Sequence, residues 1–161
     1  MQVASEIFKA YDIRGTYPDR LNADVAYAIG RGSAAIIANG KERVKIVIGS
    51  DARISSPELK AALIKGLLER GADVDDIGLV STPMFYLVSA EYGYDGGIQV
   101  SASHNPKNWN GFKFVGTRGV AIGLKGGIGT LHEMIEKDAL PPVASQAGTL
   151  RRMFELPSRA Q

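Results

Sequence analysis

Val44-Lys45-Ile46-Val47-Ile48, then Gly49-Ser50-Asp51-Ala52-Arg53-Ile54-Ser55-Ser56, then Pro57, is the passage that decides the fold. The first run is short and β-branched, which suits a strand. The polar stretch after it reads as a loop. Ser56 followed by Pro57 starts a helix, because proline at the first helical position gives up no needed hydrogen bond. That helix carries Leu59, Leu63, Leu67 and Leu68 and stops at Gly71. A strand from Asp73 to Ile77 follows, then a helix opened by Thr82-Pro83 and closed by Gly93, then a strand from Gly97 to Ser101. Upstream, Asn22 caps a helix to about Ala38 with Val25, Ile29 and Ile36 on one face and Gly40 as its stop. Downstream, Phe112-Lys113-Phe114-Val115 turns through Gly116-Thr117-Arg118-Gly119 into Val120-Ala121-Ile122, a hairpin pattern. A last helix runs from about Gly129 to Lys137. The β-α-β-α-β order predicts an α/β fold with a mostly parallel sheet covered by helices. The domain is expected over residues 1–140. Leu140-Pro141-Pro142 and the stretch after it read as a linker, so 141–161 is expected to be a tail leading elsewhere.

Composition narrows the classes. The chain has 161 residues, 45% hydrophobic and 22% charged, as in ordinary globular domains. Its 19 basic and 17 acidic residues leave a net charge of +2, too even to predict nucleic-acid binding. There is no cysteine, which removes disulfides, thiolate metal sites and a thiol nucleophile. No apolar run approaches membrane-spanning length, and Met1-Gln2-Val3-Ala4-Ser5-Glu6 has no signal-peptide character. No membrane partner is expected, and a cytoplasmic location is.

Several chemistries fail on spacing. No P-loop is present, and Gly126, Gly127 and Gly129 are followed by His132 where a dinucleotide fingerprint needs glycine. Asp73-Val74-Asp75-Asp76 looks like a metal-binding run. Strand alternation, however, puts Asp73 and Asp75 on a solvent-facing side at the amino end, away from where such sheets bind ligands. His132 reads as a surface helix residue. Ser103-His104 does not make a hydrolase pair, because sequence neighbours lack the required geometry and there is no Gly-x-Ser-x-Gly elbow.

Ser101-Ala102-Ser103-His104-Asn105-Pro106 remains. It leaves the carboxyl end of a strand, the ligand-binding edge of open α/β sheets. Spacing alone leaves it equally a Ser/Asn/Pro turn and a site. Cations tilt the balance: Arg14, Arg53 and Lys113 each lie in or beside a polar, glycine-containing loop. Fixed cations near a hydroxyl suit a phosphorylated serine or a phosphate-bearing substrate, since phosphoryl chemistry is mostly positioning and charge stabilisation.

Lys9-Ala10-Tyr11-Asp12-Ile13-Arg14-Gly15, Gly49-Ser50-Asp51-Ala52-Arg53, the serine loop, and Asn110-Gly111-Phe112-Lys113 together resemble the α-D-phosphohexomutases, the phosphoglucomutase/phosphomannomutase group. Asp76-Ile77-Gly78 and Thr82-Pro83 fall in the same order. The resemblance implies domain 1, a three-layer α/β/α domain with a mostly parallel (mixed) sheet, of a four-domain enzyme that interconverts hexose 1-phosphate and hexose 6-phosphate, of glucose or mannose, through a hexose 1,6-bisphosphate. It implies Ser103 as phosphoryl donor and acceptor, with Mg²⁺ on the Ser103 phosphate. Arg14, Lys113 and His104 would act at the transfer site, Tyr11 would join the substrate contacts, and Asp51, Arg53, Asn105 and Asn110 would support the loops. The implied partners are a phosphosugar and the remaining domains of the parent chain. Ser101 stands where the family has threonine and Trp109 where tyrosine is common. The family's Asp-Gly-Asp-x-Asp-Arg metal loop does not occur in these 161 residues, so the piece by itself is expected to be inactive. The alternative is a non-catalytic sugar-phosphate-binding or interaction module on the same fold.

Overall fold

The computed structural model describes residues 1–38 and 41–153. Gly40, expected as a helix stop, and residues 154–161 of the expected tail lie outside the described residues.

The parallel strands are β2 (Lys45–Ser50), β3 (Asp73–Leu79), β4 (Gly96–Val100) and β7 (Leu150–Arg152). Among the described residues only β5 (Trp109–Val115) runs against them, antiparallel to β4; on its other flank β1 (Ile13–Thr16) and the short β6 (Ala121–Ile122) each pair with it antiparallel. The sheet order is β1-β5-β4-β2-β3-β7. Helices α1 (Ala23–Ala38), α2 (Ser56–Glu69) and α4 (Gly129–Glu136) serve one core, with Ile46, Ile48, Ile98, Val100, Phe112 and Phe114 as its sheet face. Helix α3 (Thr82–Glu91) covers the other face through Phe85 and Val88 on Val47, Ile77 and Val115. The expected three-layer α/β/α arrangement with a mixed sheet is therefore the fold observed.

Local signals explain the element starts. Asn22 Oδ1 accepts the Val25 amide at 3.0 Å and so begins α1. Ser81 Oγ accepts the Met84 amide at 3.2 Å ahead of α3. Gly71 (φ +94°) and Gly93 (φ +78°) stand after α2 and α3 in the left-handed region that stops helices. The expected hairpin forms, β5 pairing with β6 through Phe114–Ile122 and Val115–Ala121.

Four features depart from the sequence expectations. Strand β1 was unread because four residues are too few to show alternation; the antiparallel β5 makes it a strand. Residues 141–153 are not all linker: Leu150 to Arg152 pair with Val74 to Asp76 as the outermost strand of the same sheet. Asp75 does not face solvent. It is 4% exposed, and its carboxylate accepts from Tyr94 Oη at 2.6 Å and Arg151 Nη2 at 2.7 Å. The added strand brings the arginine that the acid needs, which is why the acidic run is buried there. His132, read as a surface residue, is half-buried: its ring stacks on Phe8 at 4.0 Å and it bonds Glu136.

Helices α1 and α2 meet backbone to backbone at Gly30 and Gly66. A Cβ on Gly66 would lie 2.3 Å from the Tyr27 carbonyl oxygen, and one on Gly30 would lie 2.2 Å from that of Leu63. In an exposed helix, Gly→Ala gains about 1 kcal/mol. Here overpacking against rigid backbone costs roughly 3 kcal/mol. Gly66→Ala should therefore lose about 2 kcal/mol in urea unfolding.

Burial pushes the Asp75 carboxyl up, but hydrogen bonds from Arg151 and Tyr94 and the charges of Arg151 and Lys45 outweigh it and hold it below the ordinary value. A lowered folded-state value gives stability that is present above the unfolded value, about pH 4, and is lost as pH falls through the folded one. Acid titration of unfolding should show that loss, with a shallower slope below about pH 4 in Asp75→Asn.

Candidate active site

The carboxyl ends of β2 and β4 lie side by side, Ser50 pairing with Val100. The loop leaving β2 runs to α2, and the loop leaving β4 turns back into β5. Arg53, in the first loop, reaches into the second. Its Nη2 donates to the carbonyls of Ser103 at 3.0 Å and Asn105 at 2.8 Å. Its Nη1 donates to those of Trp109 at 3.1 Å and Pro106. Asp51 aims it, accepting Arg53 Nε at 3.2 Å and the Arg53 amide at 3.1 Å. A guanidinium presents its donors in a fixed fork, so four carbonyls of one irregular loop take one shape around it. The Arg53 side chain is 15% exposed, which keeps these bonds largely out of competition with water.

A second tie lies beneath. Asp51 Oδ1 also accepts Ser56 Oγ at 2.7 Å. Asn110, fully buried, donates to Ser55 Oγ at 2.8 Å and Ser56 Oγ at 3.0 Å. These bonds join the start of α2 to the end of the serine loop. Within the loop, Ser101 Oγ accepts the Ser103 amide at 3.1 Å, and the Asn105 amide donates to the Ala102 carbonyl at 3.1 Å. Ser103 itself has φ +55°, the left-handed region that a non-glycine residue occupies at a cost of about 1 kcal/mol or more. Its side chain is exposed. The tied loop thus holds a strained residue with its hydroxyl outward.

The other cations arrive from β1 and β5. Arg14 pairs with Gly111, and Lys113 lies two residues further along the same face. Arg14 Nε donates to Asp12 Oδ1 at 2.9 Å and Lys113 Nζ to Asp12 Oδ2 at 3.2 Å. Arg14 Nη1 continues to Asn105 Oδ1 at 3.1 Å, inside the serine loop.

Hydrogen bonds therefore connect Asn105 of the serine loop to Arg14 and, through Asp12, to Lys113, while Asp51, Arg53 and Asn110 tie that loop to the start of α2. Arg53, one of the three loop cations singled out by sequence and a loop support by the resemblance, is committed to loop carbonyls and to Asp51. His104 and Tyr11 are exposed and join none of these hydrogen bonds; Tyr11 is 81% exposed. Asp12, Ser55 and Ser56 were missed as site residues. Asp12 had a signal, since it is two residues from Arg14 and so shares its face once that segment is extended. For Ser55 and Ser56 the signal was hidden, because Ser-Ser-Pro already had a full explanation as a helix start.

The Mg²⁺ implied by the resemblance does not find a donor set here. Among the described residues no group of three or more His, Asp or Glu side chains could hold a metal ion. Asp12 and Asp51 are each occupied by cations of the protein. A phosphate on Ser103 would offer a single ligand, well short of the near-octahedral set that Mg²⁺ takes. No helix of the described residues is long and apolar enough to cross a membrane.

Residues 5–138 match the family described as phosphoglucomutase/phosphomannomutase, alpha/beta/alpha domain I. The chain belongs to this family. A phosphomannomutase of Escherichia coli is 44% identical over 150 residues, covering 92% of this chain and 32% of that protein. One of Klebsiella pneumoniae is 44% identical and is covered over 93% of its own length. A phosphoglucosamine mutase of Clostridioides difficile is 43% identical over 110 residues, or 68% of this chain and 25% of that one. Among solved structures, a phosphoglucomutase/phosphomannomutase family protein from Burkholderia thailandensis aligns with a TM-score of 0.81 at 37% identity, over 94% of this chain and 34% of that one. The chain thus spans about a third of the Escherichia coli relative and corresponds to domain I of this phosphohexomutase family.

Because Arg53 makes its four carbonyl bonds with one fork, Arg53→Lys cannot reproduce them. We expect a loss of roughly 2 kcal/mol, with amide exchange accelerated at Asn105 and Trp109 far more than in β2 or β4. Equal acceleration everywhere would show that the arginine is not specific to the loop.

Proposed function

We infer that the chain is the phosphoryl-carrying domain of a mutase that interconverts hexose 1-phosphate and hexose 6-phosphate, with Ser103 as the carrier. The observation that carries this reading is Ser103 itself: an exposed hydroxyl on left-handed backbone, in a loop fixed by Arg53, with Arg14 tied to that loop through Asn105. A loop that serves only as a turn has no need of a strained serine. Strain kept in place by many bonds is common at functional sites.

In the proposed cycle the Oγ–P bond of phosphorylated Ser103 breaks as a new P–O bond forms to a hydroxyl of the hexose monophosphate; that hydroxyl releases its proton and the leaving Ser103 Oγ takes one up. The product is a hexose 1,6-bisphosphate. Its other phosphate then returns to Ser103, whose hydroxyl gives up its proton as the new Oγ–P bond forms, and the freed sugar oxygen recovers a proton. Arg14 and Lys113 supply positive charge where negative charge gathers on the transferred group. A phosphoserine carries about −1.5 to −2 charge, so a second phosphate needs such cations to approach. His104 and Tyr11, beside these groups in sequence and open to solvent, are proposed contacts of the sugar phosphate. Mg²⁺ in this reading takes its further ligands from parts of the parent enzyme beyond domain I. The phosphosugar and those further domains are the proposed partners, a cytoplasmic location is proposed with them, and domain I by itself does not turn over substrate.

The test is phosphopeptide mass spectrometry after incubation of the parent enzyme with glucose or mannose 1,6-bisphosphate and Mg²⁺. We expect one phosphate, on Ser103, and a loss of at least a thousandfold in mutase rate for Ser103→Ala, as for removal of a covalent nucleophile. Phosphate on another residue, or an active Ser103→Ala enzyme, would overturn the assignment.

A further inference from the structure

Asp12 is 4% exposed, and its two carboxylate oxygens are divided between two cations from different strands: Oδ1 on Arg14 Nε at 2.9 Å and Oδ2 on Lys113 Nζ at 3.2 Å. We propose that Asp12 is a positioning residue that holds Arg14 and Lys113 as a preformed two-cation clamp for a phosphate group. This rests on the reading of the Ser103 loop as a phosphate site.

Three observations carry it. First, a buried carboxylate with one cation would be an ordinary ion pair; with two it leaves a net positive charge in a half-dry place. Two like charges close together on β1 and β5 would otherwise repel and swing toward solvent. Asp12 removes that penalty without neutralising the pair. Second, the bonds leave donors to spare. Arg14 uses Nε on Asp12 and Nη1 on Asn105, so Nη2 takes no part, and Lys113 places one of three N–H groups. An anion can be bound without breaking what orders the cations. Third, the space is made for it. Gly111 is the cross-strand partner of Arg14, and a Cβ there would lie 3.0 Å from Arg14 Cγ and 2.3 Å from the Ile13 carbonyl oxygen. The missing side chain lets the arginine lie flat across β5 toward Asp12 and Lys113.

The physical gain is preorganisation. A free arginine or lysine gives up rotamer freedom when it is fixed. Fixing it before the ligand arrives moves that cost from binding to folding.

The experiment uses the 161-residue chain, isotope-labelled, with inorganic phosphate as probe. NMR follows the Arg14 Nε–H order parameter and its shift on phosphate titration. The wild-type chain should show a rigid Arg14 Nε–H and a saturable shift. Asp12→Asn, of near-equal volume, should mobilise that group and weaken phosphate binding about tenfold or more, while its amide spectrum stays dispersed. Arg14 staying rigid in Asp12→Asn, or phosphate leaving the wild-type signal unmoved, overturns the proposal. Should Asp12→Asn fail to fold, Lys113→Gln serves instead. With Asp12 in place Arg14 must stay rigid, and phosphate must bind at least threefold more weakly. A mobile Arg14 in that variant would also overturn the proposal. None of these readouts depends on turnover or on phosphorylation of Ser103, so the mutase reading and the role of Asp12 can fail separately.

Discussion

The bonds from the Arg53 guanidinium to the serine loop are the constraint on which the site depends. Four carbonyl oxygens point inward at one side chain. Without it they would turn to water, and the loop would lose the reason for its shape. Ser103 keeps left-handed backbone in a loop whose Ser103 and Asn105 carbonyls are both held by Arg53 Nη2. Asn105, fixed the same way, offers its side chain to Arg14. Asp51 keeps the arginine aimed and also reaches Ser56 at the head of α2, so helix placement and loop shape are coupled.

Around that constraint the sheet acts as a frame. The carboxyl ends of β2 and β4 set the two loops beside each other, and the antiparallel return of β5 brings Lys113 and Asn110 back under the loop they follow. Strand β1, added to β5, supplies Arg14, and Asp12 stands just before it. Charge is arranged in two levels: Asp51 and Arg53 are used up in structure, whereas Asp12 leaves Arg14 and Lys113 with donors to spare. This division separates cations that shape the site from cations that can meet a ligand.

Much of the fold was legible because its signals are local. Val44 to Ile48 is β-branched, Ser56-Pro57 and Thr82-Pro83 mark helix starts, and glycine follows the helices. The serine loop stood out by composition and by its place after a strand. What sequence alone did not show is non-local. Strand β1 exists because β5 lies beside it, and Asp75 is buried because Arg151, 76 residues away, comes to pair with it. The same holds in the site. The resemblance marked Arg53 as a loop support, but which carbonyls it holds, some 50 residues on, is visible only in the fold. Asp12 was quoted in a motif but given no role, because its role is to join two residues about a hundred positions apart.

The separation between Arg53 and its carbonyls has a consequence for the order of folding. The β4–β5 hairpin can form from neighbouring residues, but its loop cannot take its final shape until β2 has docked beside β4, a pairing of high contact order. The clamp from β1 is more distant still. A chain in which β2 has not yet docked beside β4 therefore lacks the arginine that shapes the serine loop. The left-handed backbone of Ser103 is a signature of the completed sheet.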